Sequence, residues 1–164
     1  MDDRELFNRW FVEPLRILAS IPSGDGAFIA LATSCFLYER YVKATVFEET
    51  VSQFDKEISP ELRNAHLAHD FGIEEDVAAA FWIVMRNGLL HYGMPKRSKG
   101  TKSMPKWRFA HDYPQAIALS QHPNGDWWLE VQPWRFVETV IELCQDNIDL
   151  IAGSRGFPWA SVED

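Results

Sequence analysis

The sequence predicts a mainly α fold: a helical bundle of about five helices with a small antiparallel β-hairpin or three-stranded sheet inserted at about residues 107–132. Apolar residues recur at the helical period through most of the chain, as in Leu6, Phe7, Trp10, Phe11, Leu15 and Leu18. Two helices open on proline, at Ser59-Pro60 and at Pro133, where the missing N–H costs nothing. Strand-like segments gather between Trp107 and Gln132, around the turn signal His122–Asp126 with Asn124-Gly125 inside it.

Residues 3–20 read as a first helix, broken or bent at Pro14. Residues 21–26 are a Pro/Gly loop. A long helix follows from Ala27 to Phe47, with Asp25 as its expected N-cap. It is apolar on two faces: Phe28, Leu31, Cys35, Tyr38 and Val42 on one, and Ile29, Phe36, Leu37 and Tyr41 on the other. Such a helix is central to its bundle or shared with a second subunit. Residues 48–58 are polar and suggest no element. Residues 59–72 form a third helix with Ser59 as cap. Glu74, Glu75 and Asp76 suit the first turn of a fourth, where acids face the positive end of the dipole. Ile73, Val77, Phe81 and Val84 are its core stripe. A loop with Pro95, Gly100 and Pro105 is expected to be mobile. Strands are expected at 107–109, 115–121 and 127–132, their tryptophans packing on helices or stacking on bases. The last helix runs from Pro133 to Gly153, and a tail with Phe157 and Trp159 is expected to dock on a neighbour.

With 164 residues, 46% of them hydrophobic, the chain suits one domain, residues 1–164, with a substantial core and is too apolar for disorder. Cys35 and Cys144 form no CxxC pair, so a disulfide framework is not expected. The start is acidic rather than basic, unlike a signal peptide. The apolar window Ala27–Tyr38 ends at Glu39-Arg40, short of the ~20 residues that cross a bilayer. A cytoplasmic protein with no membrane segment is expected. The net charge of −8 is unevenly spread: residues 77–111 hold no acid and seven cations (Arg86, Lys96, Arg97, Lys99, Lys102, Lys106 and Arg108), which leaves −8 − 7 = −15 for the rest. That basic island either draws a polyanion or is a solvated loop.

The chemistry concentrates at Arg86-Asn87-Gly88-Leu89-Leu90-His91, at the end of an apolar helix and before the island. Arginine presents a fork of donors suited to phosphate oxygens, and histidine exchanges protons near neutrality. Asn87 and His91 lie four apart on one helical stripe, with Arg86 about a quarter-turn away. Gly93 and Pro95 then stop the helix. Glu39 is placed either to pair with Arg86 and aim it at the phosphate, or to sit in a rim salt bridge or exposed to solvent. A plainer role exists for each motif residue too: Arg86 and Asn87 suit a helix C-terminus, and His91 suits a core.

These residues resemble the signature of the HEPN superfamily of helical nucleic-acid-acting proteins: arginine, a polar residue, then histidine after four to six intervening residues. Arg86, Asn87 and His91 match it, with Gly88 and Leu89-Leu90 typical of the interval. The resemblance covers about residues 26–95. It implies a helical protein that pairs into a homodimer with a composite cleft and acts as a metal-independent endoribonuclease, as a toxin or in phage defence. Arg86 would contact phosphate, Asn87 would position, and His91 would transfer protons. Lys96, Arg97, Lys99 and Lys102, with Tyr92, would bind the RNA. No cofactor is implied. An antitoxin or nucleotidyltransferase partner is; however, the tyrosine modified in some relatives lies two places after the histidine, where this chain has Gly93, and Tyr92 is one place early.

No metal is expected. His66 and His69 are three apart on one helix, but no second pair at ligand spacing and no HExxH follows. Two other functions fit the same residues: a module that holds RNA or a nucleotide, or a protein partner, without cutting, and a DNA-binding regulator with the hairpin as a wing. The latter lacks a polar helix for reading bases.

Overall fold

The computed structural model describes residues 2–47 and 57–152. These form six helices and a three-stranded mixed sheet: α1 (residues 3–19), α2 (Ala27–Phe47), α3 (Pro60–Phe71), α4 (residues 75–92), β1 (Lys106–Phe109), β2 (Ile117–Gln121), β3 (Trp127–Val131), α5 (Pro133–Asp146) and α6 (Ile148–Ala152). The mainly α fold with its inserted sheet is as the sequence predicts. Gly153, Phe157 and Trp159 lie outside the described residues, as does most of the polar stretch after α2.

Asp2 opens α1 with a reciprocal capping box: Glu5 N–H donates to Asp2 Oδ1 at 2.7 Å, and Asp2 N–H to Glu5 Oε2 at 3.1 Å. The helix is not broken at Pro14. A π turn at Asn8–Val12, with Glu13 N–H donating to Asn8 O, widens the coil where the proline ring would meet a carbonyl.

At the start of α2 the Ala30 N–H donates to Gly26 O at 3.0 Å, so Gly26 rather than Asp25 takes the cap position. A Cβ at Gly26 would lie 2.4 Å from Leu18 O, so α1 and α2 approach there too closely for a side chain. One face of α2 (Leu31, Cys35, Tyr38, Val42) is fully buried, and the helix packs most extensively on α5. The expected second apolar face is divided: Leu37 and Tyr41 are buried, whereas Ile29 and Phe36 are 61% and 58% exposed.

Ser59 caps α3 through Leu62 N–H, and Gly72 ends it in the left-handed conformation, φ 61°. Between α2, α3, α4 and α5 lies an aromatic cluster. Phe71 stacks on Phe136 at 4.8 Å, Phe81 on Phe136 at 4.9 Å, and Tyr38 meets Trp82 at 6.1 Å. The Tyr38 hydroxyl donates to Asp70 Oδ2 at 2.8 Å, which satisfies the one polar atom of a fully buried ring.

The hairpin forms where expected. β2 and β3 are antiparallel, and His122 N–H donates to Asp126 O at 2.9 Å across the turn. β1 differs: it pairs in parallel with the other edge of β3, in the order β1-β3-β2. The sheet is therefore mixed: β2 runs back antiparallel to β1 but one strand away from it, and β3 fills the gap between them, parallel to β1. Leu129, Val131 and Ile117 point into the core, and Phe28 of α2 meets Phe109 at 4.7 Å and Trp107 at 5.9 Å. The opposite face carries Trp128 with Lys106 and Arg108 over its ring. Gln132 caps α5, its side-chain oxygen accepting from Trp134 and Arg135 N–H at 2.8 and 3.1 Å. Arg40 of α2 ties down α6 by donating to Ile151 O at 2.9 and 3.2 Å. Among the described residues, no helix is long and apolar enough to cross a membrane.

Phe136→Ala removes the ring on which Phe71 and Phe81 both stack, and is expected to cost about 3–5 kcal/mol, measured by urea unfolding. Burial pushes the Cys144 thiol up to about 12; burial first, and then Glu39, raise Cys35 too. Neither thiol should react with a disulfide reagent at pH 8 in the native protein, where both remain protonated, and both should react in urea.

Candidate functional site

Arg86, Asn87 and His91 occupy the last turns of α4, as the stop signals predict: Gly93 takes φ 70° and its N–H donates to Leu89 O at 3.1 Å. A feature not legible in the sequence precedes them. Trp82–Arg86 is a π turn, with Asn87 N–H donating to Trp82 O. One added residue rotates everything after it by about 100° relative to an unbroken helix. The rotation leaves Trp82, Val84 and Met85 buried while Arg86 reaches sideways to α2.

There Arg86 Nη2 lies 2.5 Å from the Glu39 carboxylate, and Nη1 donates to Asn87 Oδ1 at 2.9 Å. The Arg86 and Glu39 side chains are 18% and 21% exposed. Of the two arrangements open for Glu39, the structure has the pair with Arg86. Asn87 spends its side-chain oxygen on holding that guanidinium. Trp82 lies beneath it, 5.8 Å from ring centroid to the guanidinium carbon.

His91 is exposed and is not a core histidine. Its nearest ring is Tyr92 at 6.4 Å, itself 72% exposed. It stands one turn beyond Asn87 on the same stripe. Tyr92, Met94, Pro95, Lys96 and Arg97 line a shallow depression beside it.

Gly88 has a structural reason to be glycine. A Cβ there would lie 2.5 Å from Lys96 N, 2.6 Å from Pro95 Cα and 2.7 Å from Met94 O. The chain leaving α4 folds back across the helix at that point, and Lys96 N–H donates to Val84 O at 2.9 Å. The loop beyond is braced: Lys99 N–H donates to Met104 O at 3.2 Å, and Trp127 N–H to Gly100 O at 2.9 Å.

The basic island divides. Lys96, Arg97 and Lys99 have side chains with no ion pair among the described residues. Lys102 is 2.5 Å from Asp76 Oδ2 and stacks 5.3 Å over Trp127, and its hydrogen bond holds the Asp76 carboxyl below the usual range. Lys106 pairs with Asp126 at 2.6 Å, and Arg108 with the buried Glu130. Lys102 is thus brought to the hairpin and α4, away from the other three.

Sequence reasoning missed Arg63. It lies on α3, its guanidinium carbon 4.6 Å from the Trp82 ring centroid, and lines with Arg86 and Glu39 a cavity of about 320 Å³ between α2, α3 and α4. A signal existed: Arg63, Leu67 and Asp70 share one stripe of α3, and the last two face inward. Among the described residues no three His, Cys, Asp or Glu side chains gather as a metal site would require. His69 is bonded to Asp70 at 3.1 Å instead.

Gly88→Ala should force the crossing segment off α4 at a cost of about 1–3 kcal/mol. Urea unfolding measures the loss, and hydrogen exchange should show the Lys96 amide losing protection before its neighbours in α4.

Comparison with family models, with curated proteins and with solved structures returns no match.

Proposed function

We propose that the end of α4 is the catalytic arm of a HEPN-like, metal-independent endoribonuclease that works as a homodimer, as a toxin or phage-defence effector with an antitoxin or nucleotidyltransferase partner. The observation that carries the reading is the contrast between two residues five positions apart on one helix end. Arg86 is locked by Glu39 and Asn87, while His91 on the same helix end is open to solvent. A fixed cation beside a free imidazole is what phosphoryl transfer in RNA asks for.

In the reaction a base takes the proton of the 2′-hydroxyl, and O2′ bonds to the adjacent phosphorus. The P–O5′ bond breaks, and an acid protonates the departing O5′. A 2′,3′-cyclic phosphate and a 5′-hydroxyl result. Arg86 would face the charge gathering on the non-bridging oxygens. One chain supplies one His91, and a two-fold dimer supplies the second proton-transfer group. Lys96, Arg97 and Lys99, which make no ion pair among the described residues, would hold the strand, with exposed Tyr92 offering a ring for a base.

A second reading has its own support. Both terminal nitrogens of Arg86 are engaged within the chain, which suits a module that holds RNA without cutting it. Assay in EDTA separates the two, with parent and His91→Ala compared. Cleavage by the parent alone supports the enzyme; binding by both without cleavage supports the module.

His91→Ala should lower cleavage by about 10²–10⁴-fold with an unchanged circular dichroism spectrum. Arg86→Ala should weaken both rate and RNA affinity. Neutralising Lys96, Arg97 and Lys99 together should reduce the slope of log affinity against log salt by about 2 for single-stranded RNA. Neutralising the paired Lys102 alone should change it far less.

A further inference from the structure

We propose that the cavity between α2, α3 and α4 is a receptor for a small phosphomonoester, with Arg63 as its principal anion-binding residue. The site shares Arg86 with the ribonuclease reading and does not depend on it.

Arg63 is a half-buried cation. Among the described residues it makes no hydrogen bond and no ion pair, and its Nε is buried without a partner. Its contact is the face of Trp82 at 4.6 Å. With Nε enclosed, the terminal nitrogens are its accessible donors, and the residue lines the cavity. Burial lowers its pKa, the Glu39 carboxylate offsets part of that, and neighbouring Arg86 adds to the lowering. Taking a charge out of water is costly unless something pairs with it. An anion entering the cavity would supply that pair. Stacking on Trp82 fixes the plane of the guanidinium beforehand, so less side-chain freedom is lost on binding.

The rest of the lining narrows the ligand. With Arg63, Lys43 and Arg86 make three cations in the wall against two carboxylates, Glu57 and the Glu39 already committed to Arg86, which leaves the lining a net charge of +1. Pro60, the first residue of α3, forms part of the wall, which puts the positive end of that helix at the cavity. A planar fork engages two oxygens of one phosphate, and a phosphomonoester carries close to two charges at neutrality. The cavity of about 320 Å³ is at the small end of the about 300–1,000 Å³ typical of ligand pockets. It has room for a sugar phosphate or a mononucleotide and none for a strand. Val42 and Ile58 offer an apolar wall to the carbon skeleton.

The test is calorimetric titration of the full chain with ribose 5-phosphate, ribose, inorganic phosphate and malonate. Ribose 5-phosphate should bind one per chain and inorganic phosphate more weakly, with ribose silent and malonate weaker by about tenfold or more. Arg63→Gln should weaken ribose 5-phosphate by about tenfold or more. Arg63→Lys keeps the charge and loses the fork, and should fall between the two. His91→Ala should bind like the parent. Absence of binding to the parent, malonate binding as tightly as ribose 5-phosphate, or parent-like affinity in Arg63→Gln would overturn the proposal. Should Arg63→Gln fail to fold, parent-like affinity in Arg63→Lys overturns it equally. Loss of RNA cleavage in His91→Ala alongside intact ribose 5-phosphate binding separates this site from the nuclease reading.

Discussion

Trp82 joins the core to the site. Its ring is 1% exposed and packs against Tyr38 at 6.1 Å and Phe81 at 6.1 Å, within the aromatic cluster that holds α2, α3, α4 and α5 together. The same ring carries two guanidiniums, Arg63 at 4.6 Å and Arg86 at 5.8 Å. Burial of one large aromatic side chain removes about 150–250 Å² from water, so the floor beneath both arginines is as fixed as the core. The Glu39–Arg86 pair adds little to stability on this view. Largely withdrawn from water, each ion loses solvation that their attraction roughly repays. Its effect is on direction: it spans α2 and α4 and leaves Arg86 one orientation.

The helices were legible because their signals are local. Period, caps and proline-first starts locate α2, α3 and α4 and the start of α5 within a residue or two, whereas the single last helix expected to reach Gly153 is interrupted at Asn147 and divides into α5 and α6. The sheet was legible as strands and not as pairing. Alternation in Trp107–Phe109 says that one face is buried; it says nothing about which strand lies alongside, and a parallel neighbour needs a crossover that no turn residue announces. The two π turns were illegible for a related reason. No residue type marks an added residue in a helix, and Pro14 indicates only that a normal turn is strained there.

At the site, Arg86, Asn87 and His91 are adjacent in sequence, and so their spacing could be read directly. Glu39 could be placed as a charge in an apolar helix, with its partner left open between two arrangements. Arg63 could be read only as one residue of an inward-facing stripe, because what distinguishes it is the ring beneath it and the lack of an ion pair among the described residues, both products of packing. Lys102 shows the converse: composition groups it with Lys96, Arg97 and Lys99, while tertiary contact hands it to Asp76 and Trp127.

The strand order β1-β3-β2 leaves two strands with unpaired backbone edges. Such edges invite other chains to add on, which is how soluble sheets become fibrils. β1 carries Lys106 and Arg108 in alternate positions, and a second β1 laid antiparallel against it would bring cations close to cations. Cations on an edge strand are one means by which a small sheet is kept from growing, and here each is held in place by a carboxylate of the hairpin, Asp126 or Glu130.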